Sequence, residues 1–254
     1  MKTLFIGQNA VHLKSVGSTN TYASEMLRQI GLTEGQLFYT FDQQNGRGQR
    51  GNAWETEPHK NLGLSLYLTP NFLSVEKQFM LTKIVSLAVA DLMAETLKNS
   101  GVEAKVNIKW PNDIYVNGKK IAGILIENNL RESSIQNSII GVGINVNQTV
   151  FSNELKNATS LKLLADKEFD LSEIIHRFCE LMEGYYLQLR GNGTEKIDVL
   201  YLEKLFQINE WRNYFSGNHS FEGKLIGVNS LGKLKIEKRN SEVSEYDLKE
   251  IVFE

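Results

Sequence analysis

Cysteine is almost absent from this chain. Cys179 stands alone among 254 residues, so no internal disulfide can form, and its place in the helical-looking run Ile174–Met182 reads as a buried thiol with no partner histidine pattern. Such sparing use suits a reducing compartment, and a cytoplasmic location is expected. Histidine is nearly as scarce: His12, His59, His176 and His219 are scattered without metal-ligand spacing, which argues against a structural zinc site. No apolar run approaches the ~18 residues that a membrane-spanning helix needs, and the stretch Met1–Ala10 is too short in apolar residues for a signal peptide. A dominant sign of charge is missing too. With 28 basic and 30 acidic residues the net charge is −2 and the pI is near 6.2, so no global field recruits nucleic acid or an anionic membrane.

What is present is ordinary globular material: 41% hydrophobic and 23% charged residues, in a chain long enough to bury roughly 70–75% of its unfolded surface. The β-rich runs Leu37–Phe41, Leu62–Leu68, Asn107–Trp110 and Ser138–Val146 predict strands. A helix is expected from Ser18–Thr19, good N-cap residues, with Tyr22, Met26 and Ile30 on its core side, and a second over about Val75–Lys98. Asn117-Gly118 predicts a type I′ hairpin that pairs Val116 with Lys119 and Tyr115 with Lys120. The two-residue period then places Asp113, Tyr115 and Lys120 on one face, while Pro111 is expected to interrupt the ladder before Lys109 can join it. Helical periodicity over Leu171–Phe206, broken at Gly191–Thr194, gives way near residues 207–212 to short alternating runs, the pattern of a small barrel.

Two segments carry chemistry. Gly46-Arg47-Gly48-Gln49-Arg50-Gly51 fits the spacing G-x-G-x-x-G, but a strand rather than a helix follows, which excludes a dinucleotide fingerprint. Its glycines still let backbone N–H groups approach an anion, and Arg47 and Arg50 add charge-assisted donors. In Lys109-Trp110-Pro111-Asn112-Asp113, with Lys120 just beyond, two lysines and a carboxylate can hold a polyphosphate and its Mg²⁺, Asp113 favouring the metal. No Walker-type phosphate loop is present.

Taken in order, Ser18-Thr19-Asn20, Gln43 to Gly48, Lys109 to Asp113, Lys120 to Leu125 and Gly141 to Asn145 resemble the motifs of the biotin–protein ligases. The resemblance covers about residues 11–147. It implies an α+β fold: a mixed-sheet catalytic domain of the class II aminoacyl-tRNA synthetase-like, biotin ligase type over residues 1–208, and a small SH3-like β-barrel over 209–254. By matched position, Ser18, Thr19, Asn20 and Gln43 would hold the ureido ring of biotin through neutral donors and acceptors, with Gly46, Gly48, Gln49 and Gly123 around the same ligand. Arg47, Lys120 and Lys109 would be catalytic, the first two drawing the biotin carboxylate to the α-phosphate of ATP. Lys109, Asn112 and Asp113 would address phosphates and Mg²⁺, with Arg50, Trp54 and Asn145 around the nucleotide.

The resemblance further implies biotinyl-5′-AMP as the intermediate and a biotin carboxyl carrier domain as the partner, in a monomer or homodimer that engages neither nucleic acid nor membrane. The sequence departs from the family at Gln49, where arginine is common. About ten residues precede the first matching strand, too few for a helix-turn-helix, so no DNA-binding module is expected. Two other readings stand beside this one: a lipoate or octanoate ligase or transferase of similar fold, and a non-enzymatic biotin sensor.

Overall fold

The computed structural model describes residues 2–217 and 219–253; at Arg50 it describes the backbone alone. The large sheet gathers β1 (Ala10–His12), β2 (Leu37–Thr40), β5 (Leu62–Leu68), β6 (Val106–Lys109), β7 (Asp113–Val116), β8 (Lys119–Arg131) and β9 (Ser134–Ile144) in the order β1-β2-β5-β9-β8-β7-β6. Only β1 and β2 run parallel in this sheet; the other neighbours are antiparallel, so it is mixed, as expected. A two-stranded ribbon, β3 (Gly46–Arg47) and β4 (Ala53–Trp54), stands apart from it.

Helix α1 (Thr19–Ile30) begins at Ser18, whose Oγ accepts the Thr21 N–H. It covers one face of the sheet through Ala23, against Phe38, Tyr67 and Ile139. Ile30, expected in the core, is instead 77% exposed. It is the last residue before the Gly31 C-cap, and Leu27 and Leu32 pack in its place. The opposite face carries α2 (Phe79–Asn99), which is apolar around most of its circumference because it lies between the sheet and the helices outside it, α4 (Leu171–Arg190) and α5 (Thr194–Lys204). Expected to start at Val75, α2 starts at Phe79; Val75–Lys77 forms a separate 3₁₀ turn. The short α3 (Leu161–Ala165) follows the end of β9. Cys179 is buried in α4, and burial pushes its thiol up to about 12, so it is inert.

Asn117 and Gly118 both take positive φ, and Val116–Lys119 and Tyr115–Lys120 are register partners, as the hairpin predicts. Pro111 does not interrupt the ladder at Lys109. It sits in the turn between β6 and β7, so Lys109 pairs in register with Asp113 across that turn.

The second sheet contains β10 (Trp211–Ser216), β11 (His219–Val228), β12 (Leu234–Lys238), β13 (Val243–Tyr246) and β14 (Val252–Phe253), in the order β13-β12-β11-β10-β14 and wholly antiparallel. Its inward residues Tyr214, Leu225, Leu234, Ile236 and Ile251 belong to the same hydrophobic cluster as the core under the large sheet. One polar tie crosses the junction: buried Trp110 donates its indole N–H to the Gly232 carbonyl at 2.8 Å. Trp110→Phe leaves that carbonyl without its donor and is expected to cost about 1–3 kcal/mol of folding free energy. Urea denaturation reads this directly, and an unchanged midpoint would show that the tie contributes nothing.

Candidate functional site

Strand periodicity builds the floor of the site. In β5 the leucines 62, 64, 66 and 68 join the α2-side core, which turns Gly63 and Ser65 to the other face. In β9 the residues Ile140, Val142 and Ile144 do the same, which turns Gly141 and Gly143 outward. Register lines these positions up: Gly63 opposes Gly143, Gly143 opposes Gly123 of β8, and Ser65 opposes Gly141. The result is a trough across three central strands in which four glycines and Ser65 leave the floor almost bare. Neighbouring groups use the space. A Cβ on Gly123 would stand 3.0 Å from the Trp54 indole, one on Gly63 would stand 3.3 Å from the Gln43 side chain, and one on Gly141 would collide with Asn20 Oδ1.

Over this floor lies a cavity of about 340 Å³. The first turn of α1 brings Ser18, Thr19 and Asn20 to its wall. The loop after β2 lies along the segment before α1, with Gln44 N–H donating to Val16 O and Asn45 N–H to Gly17 O, and this sets Gln43 beside Thr19, whose N–H it accepts at 3.0 Å. The loop then folds back as the β3–β4 ribbon, Gly46 opposite Trp54 and Arg47 opposite Ala53, around a turn in which Gly51 takes φ 81°. Arg47, Gly48, Gln49 and Trp54 therefore line the cavity.

The β6–β7 turn and the start of β8 supply Lys109, Asn112, Asp113, Lys120 and Gly123 to the same cavity. Lys120 Nζ pairs with Asp113 at 2.8 Å and lies 5.5 Å from the Trp54 ring centroid. Asn112 donates to the Ile124 carbonyl at 2.6 Å, and its own amide oxygen can still accept. Lys109 sits over the rings of Tyr115 and Phe253, at 5.2 and 5.4 Å. Burial lowers its pKa and the neighbouring Lys120 charge adds to this, while Asp113 opposes both. Tyr115 is pushed up to about 12 by burial and then by Asp113, so it stays a neutral hydroxyl.

Thirteen of the expected positions thus share one cavity. Gly46 and Asn145 are not on its wall. Gly46 is buried behind it, where a Cβ would strike the Trp54 carbonyl. Asn145 is buried and gives its amide N–H to the Thr159 carbonyl at 3.1 Å, which ties the end of β9 to the segment before α3. The Arg50 side chain lies outside the described residues. Other wall residues were not anticipated. Gly141 and Gly143 occur in a motif quoted for the resemblance but were given no role; the alternation of small and branched residues in Leu62–Leu66 and Gly141–Ile144 was the signal that could have found them. Leu248, Ile251, Val252 and Phe253 of the second sheet close one side, and no local pattern announces a wall contributed from so far along the chain. Among the described residues no group of three or more His, Cys, Asp or Glu side chains could hold a metal ion, and no helix is long and apolar enough to cross a membrane.

Comparison with known proteins agrees with this geometry. The chain is 32% identical to the bifunctional ligase/repressor BirA of Bacillus subtilis over 240 residues, 93% of this chain and 72% of that one. It is 32% identical to the biotin–[acetyl-CoA-carboxylase] ligase of Paracoccus denitrificans over 134 residues, 53% of each chain. The structure of the biotin protein ligase from Aquifex aeolicus in complex with biotin and ATP superposes with a TM-score of 0.79 at 25% identity, covering 97% of this chain and 99% of that one. The description of the biotin/lipoate A/B protein ligase family matches residues 13–145. That stretch runs from just before α1 to just past β9 and holds every wall of the cavity except the part from the second sheet, so the site and the match are one region, and this chain belongs to the biotin/lipoate A/B protein ligase family.

Proposed function

We propose that the chain is an ATP-dependent biotin–protein ligase that forms biotinyl-5′-AMP and passes the biotinyl group to a lysine of a biotin carboxyl carrier domain. One observation carries this reading: a single cavity joins a cluster of neutral polar groups, Ser18, Thr19, Asn20 and Gln43, to a cluster of cations, Arg47, Lys109 and Lys120. A ligand with an uncharged cyclic urea at one end and a carboxylate at the other fits that division. Lipoate and octanoate carry no group for the neutral cluster, so burying them would leave its donors and acceptors unpaired. A biotin sensor would need a cation for the carboxylate alone, and three cations exceed that need. The Aquifex relative, which binds biotin and ATP, supports the same assignment.

In the first step a biotin carboxylate oxygen attacks the α-phosphorus of ATP, and the bond to the departing pyrophosphate breaks. Arg47 and Lys120 screen the two anions as they meet and stabilise charge on the phosphoryl oxygens. Lys109, held near the cavity by Tyr115 and Phe253, faces the leaving phosphates. In the second step the neutral amine of the acceptor lysine attacks the acyl carbon and AMP leaves with the bonding electrons; the amine proton passes to solvent or to the departing phosphate. Asp113 and the amide oxygen of Asn112 suit an Mg²⁺ ion that arrives with the triphosphate, because Mg²⁺ commonly takes one or two protein carboxylates and fills its shell with phosphate and water. Such an ion would neutralise charge on the phosphates. Asn145, off the cavity wall, ties the end of β9 to the segment before α3 through the Thr159 carbonyl, and we assign Gln49 to the adenylate phosphate as a neutral donor.

The same reading makes residues 1–208 the catalytic unit and 209–254 an SH3-like unit that completes its cavity. A single cysteine, Cys179, supports a cytoplasmic location, since sparing cysteine use suits a reducing compartment. The net charge of −2 argues against nucleic acid as a partner.

Pyrophosphate exchange into ATP is expected only when biotin is present; better exchange with lipoate or octanoate would overturn the substrate assignment. In that assay Lys120→Ala should reduce the rate by about 10²-fold or more, the scale for losing one transition-state donor, and near-normal turnover would remove Lys120 from the chemistry. The lowered pKa of Lys109 has a sign that kinetics can test. A lysine with a lowered pKa sheds its proton at lower pH than usual, so kcat/KM should fall on the alkaline side with a midpoint below the ordinary lysine value of 10.5. Lys109→Arg, which keeps its charge at every accessible pH, should move that limb upward; a limb identical in both proteins would assign it to another group.

A further inference from the structure

Glu127 lies on β8 four residues beyond Gly123, on the cavity side of the sheet by strand alternation, and does not itself line the cavity. Its two carboxylate oxygens have different partners. Oε1 accepts from Arg47 at 3.0 Å, and Oε2 accepts from the Asn20 amide at 2.9 Å. Arg47 is further steadied by Thr21 Oγ1 at 3.4 Å. The pair is half-exposed, so it adds little to stability; its value lies in what it orients.

Asn20 is the other end of the device. Its amide nitrogen has two protons, and both are committed to groups that only accept: Glu127 Oε2 and the Leu125 carbonyl at 3.3 Å. The amide therefore cannot be turned over, and its oxygen must face the buried Ser65 hydroxyl, 2.5 Å away. Ser65 has one proton, and a carbonyl oxygen cannot supply one, so that proton goes to Asn20. The hydroxyl of Thr19 lies 2.8 Å from Ser65 Oγ and 3.2 Å from Gln43 Oε1, so its one proton serves one of these two oxygens, and Gln43 Oε1 also takes the Thr19 backbone N–H. The Ser65 proton points to Asn20, and one Asn20 amide proton points on to Glu127. Against the cavity, Asn20 is left with a lone pair and no free donor.

We propose that Glu127 is a positioning residue for the ligase reaction. It fixes the neutral recognition cluster with Asn20 as an acceptor for a ligand N–H, and through its other oxygen it holds the guanidinium of Arg47 in place for the carboxylate end of the same ligand. One side chain thereby ties recognition of the urea to alignment of the reacting carboxylate. This rests on the biotin ligase reading of the site. A glutamine cannot substitute, because it has one oxygen for two donors. Turned toward Asn20, its amide faces Arg47 and releases it. Turned toward Arg47, its amide faces Asn20, inverts that side chain and presents a donor where the ligand N–H requires an acceptor.

The test compares wild type and Glu127→Gln in biotin-dependent pyrophosphate exchange, with thermal unfolding of both. Loss of a charge-assisted hydrogen bond predicts a decrease in kcat/KM for biotin of about ten- to hundredfold, with the KM for ATP within about twofold of wild type and the unfolding midpoint unmoved, since an exposed pair contributes little stability. In an Arg47→Ala background the same substitution should still raise the KM for biotin but no longer lower kcat, because the two effects travel through different oxygens. No exchange with biotin by the wild-type protein overturns the ligase reading and this proposal with it. Normal exchange that Glu127→Gln leaves within about twofold overturns this proposal alone, as does a parallel rise of both KM values with a lowered unfolding midpoint, the behaviour of a structural residue.

Discussion

A cavity over the middle of a β-sheet needs strands that are full on one face and bare on the other, and the two-residue period of a strand makes that a matter of alternate positions. In β5, β8 and β9 the alternate positions hold Leu, Ile, Val and Ala toward α2, and Gly63, Gly123, Gly141, Gly143 and Ser65 away from it. The same strands thus anchor the core and make room for a ligand. Three groups at the cavity rest directly on that trough: Asn20 on Gly141, Gln43 on Gly63, and the Trp54 indole on Gly123 and Gly143. A methyl group at Gly143 would meet Trp54, which carries the β3–β4 ribbon and, beside it, Arg47.

The charges follow a second logic. Arg47 is matched by Glu127 and Lys120 by Asp113, each within 3.0 Å. A cluster of cations would otherwise repel itself and hold the ribbon open; matched pairs keep the walls close while leaving each cation with further donors for an incoming anion. Lys109 is stabilised differently, by the faces of two rings, and burial lowers its pKa. The site therefore distributes its positive charge among three distinct environments.

Much of this was legible in the sequence, and the reasons are local. Asn117-Gly118 encodes a turn that sets the first two pairs of β7 and β8, Val116 with Lys119 and Tyr115 with Lys120; a bulge at Ile114–Tyr115 then shifts the register, and Lys120 reaches Asp113 through its side chain. Ser18 marks the start of α1 by its own capping hydroxyl. The leucine run of β5 matched its strand end to end. What escaped was set by tertiary packing. Ile30 looked like core until the helix ended beneath it. Asn145, expected at the nucleotide, is off the cavity wall and gives its amide N–H to the Thr159 carbonyl. The role of Glu127 requires knowing that Asn20, 107 residues earlier, turns its amide nitrogen toward it, and no spacing rule reports that.

The continuous core between the two sheets has a consequence for how such a protein can be rearranged. Gly232 takes φ 91°, lies where a Cβ would press into the Phe79 ring, and accepts the Trp110 indole N–H through its carbonyl. A foreign barrel grafted in place of residues 209–254 would have to bring a bare, left-handed residue to that same spot, and an apolar strand to close the cavity beside Lys109. The small sheet is transplantable only together with its seat, so recombination between relatives would succeed at junctions that carry Phe79, Trp110 and Gly232 as a set.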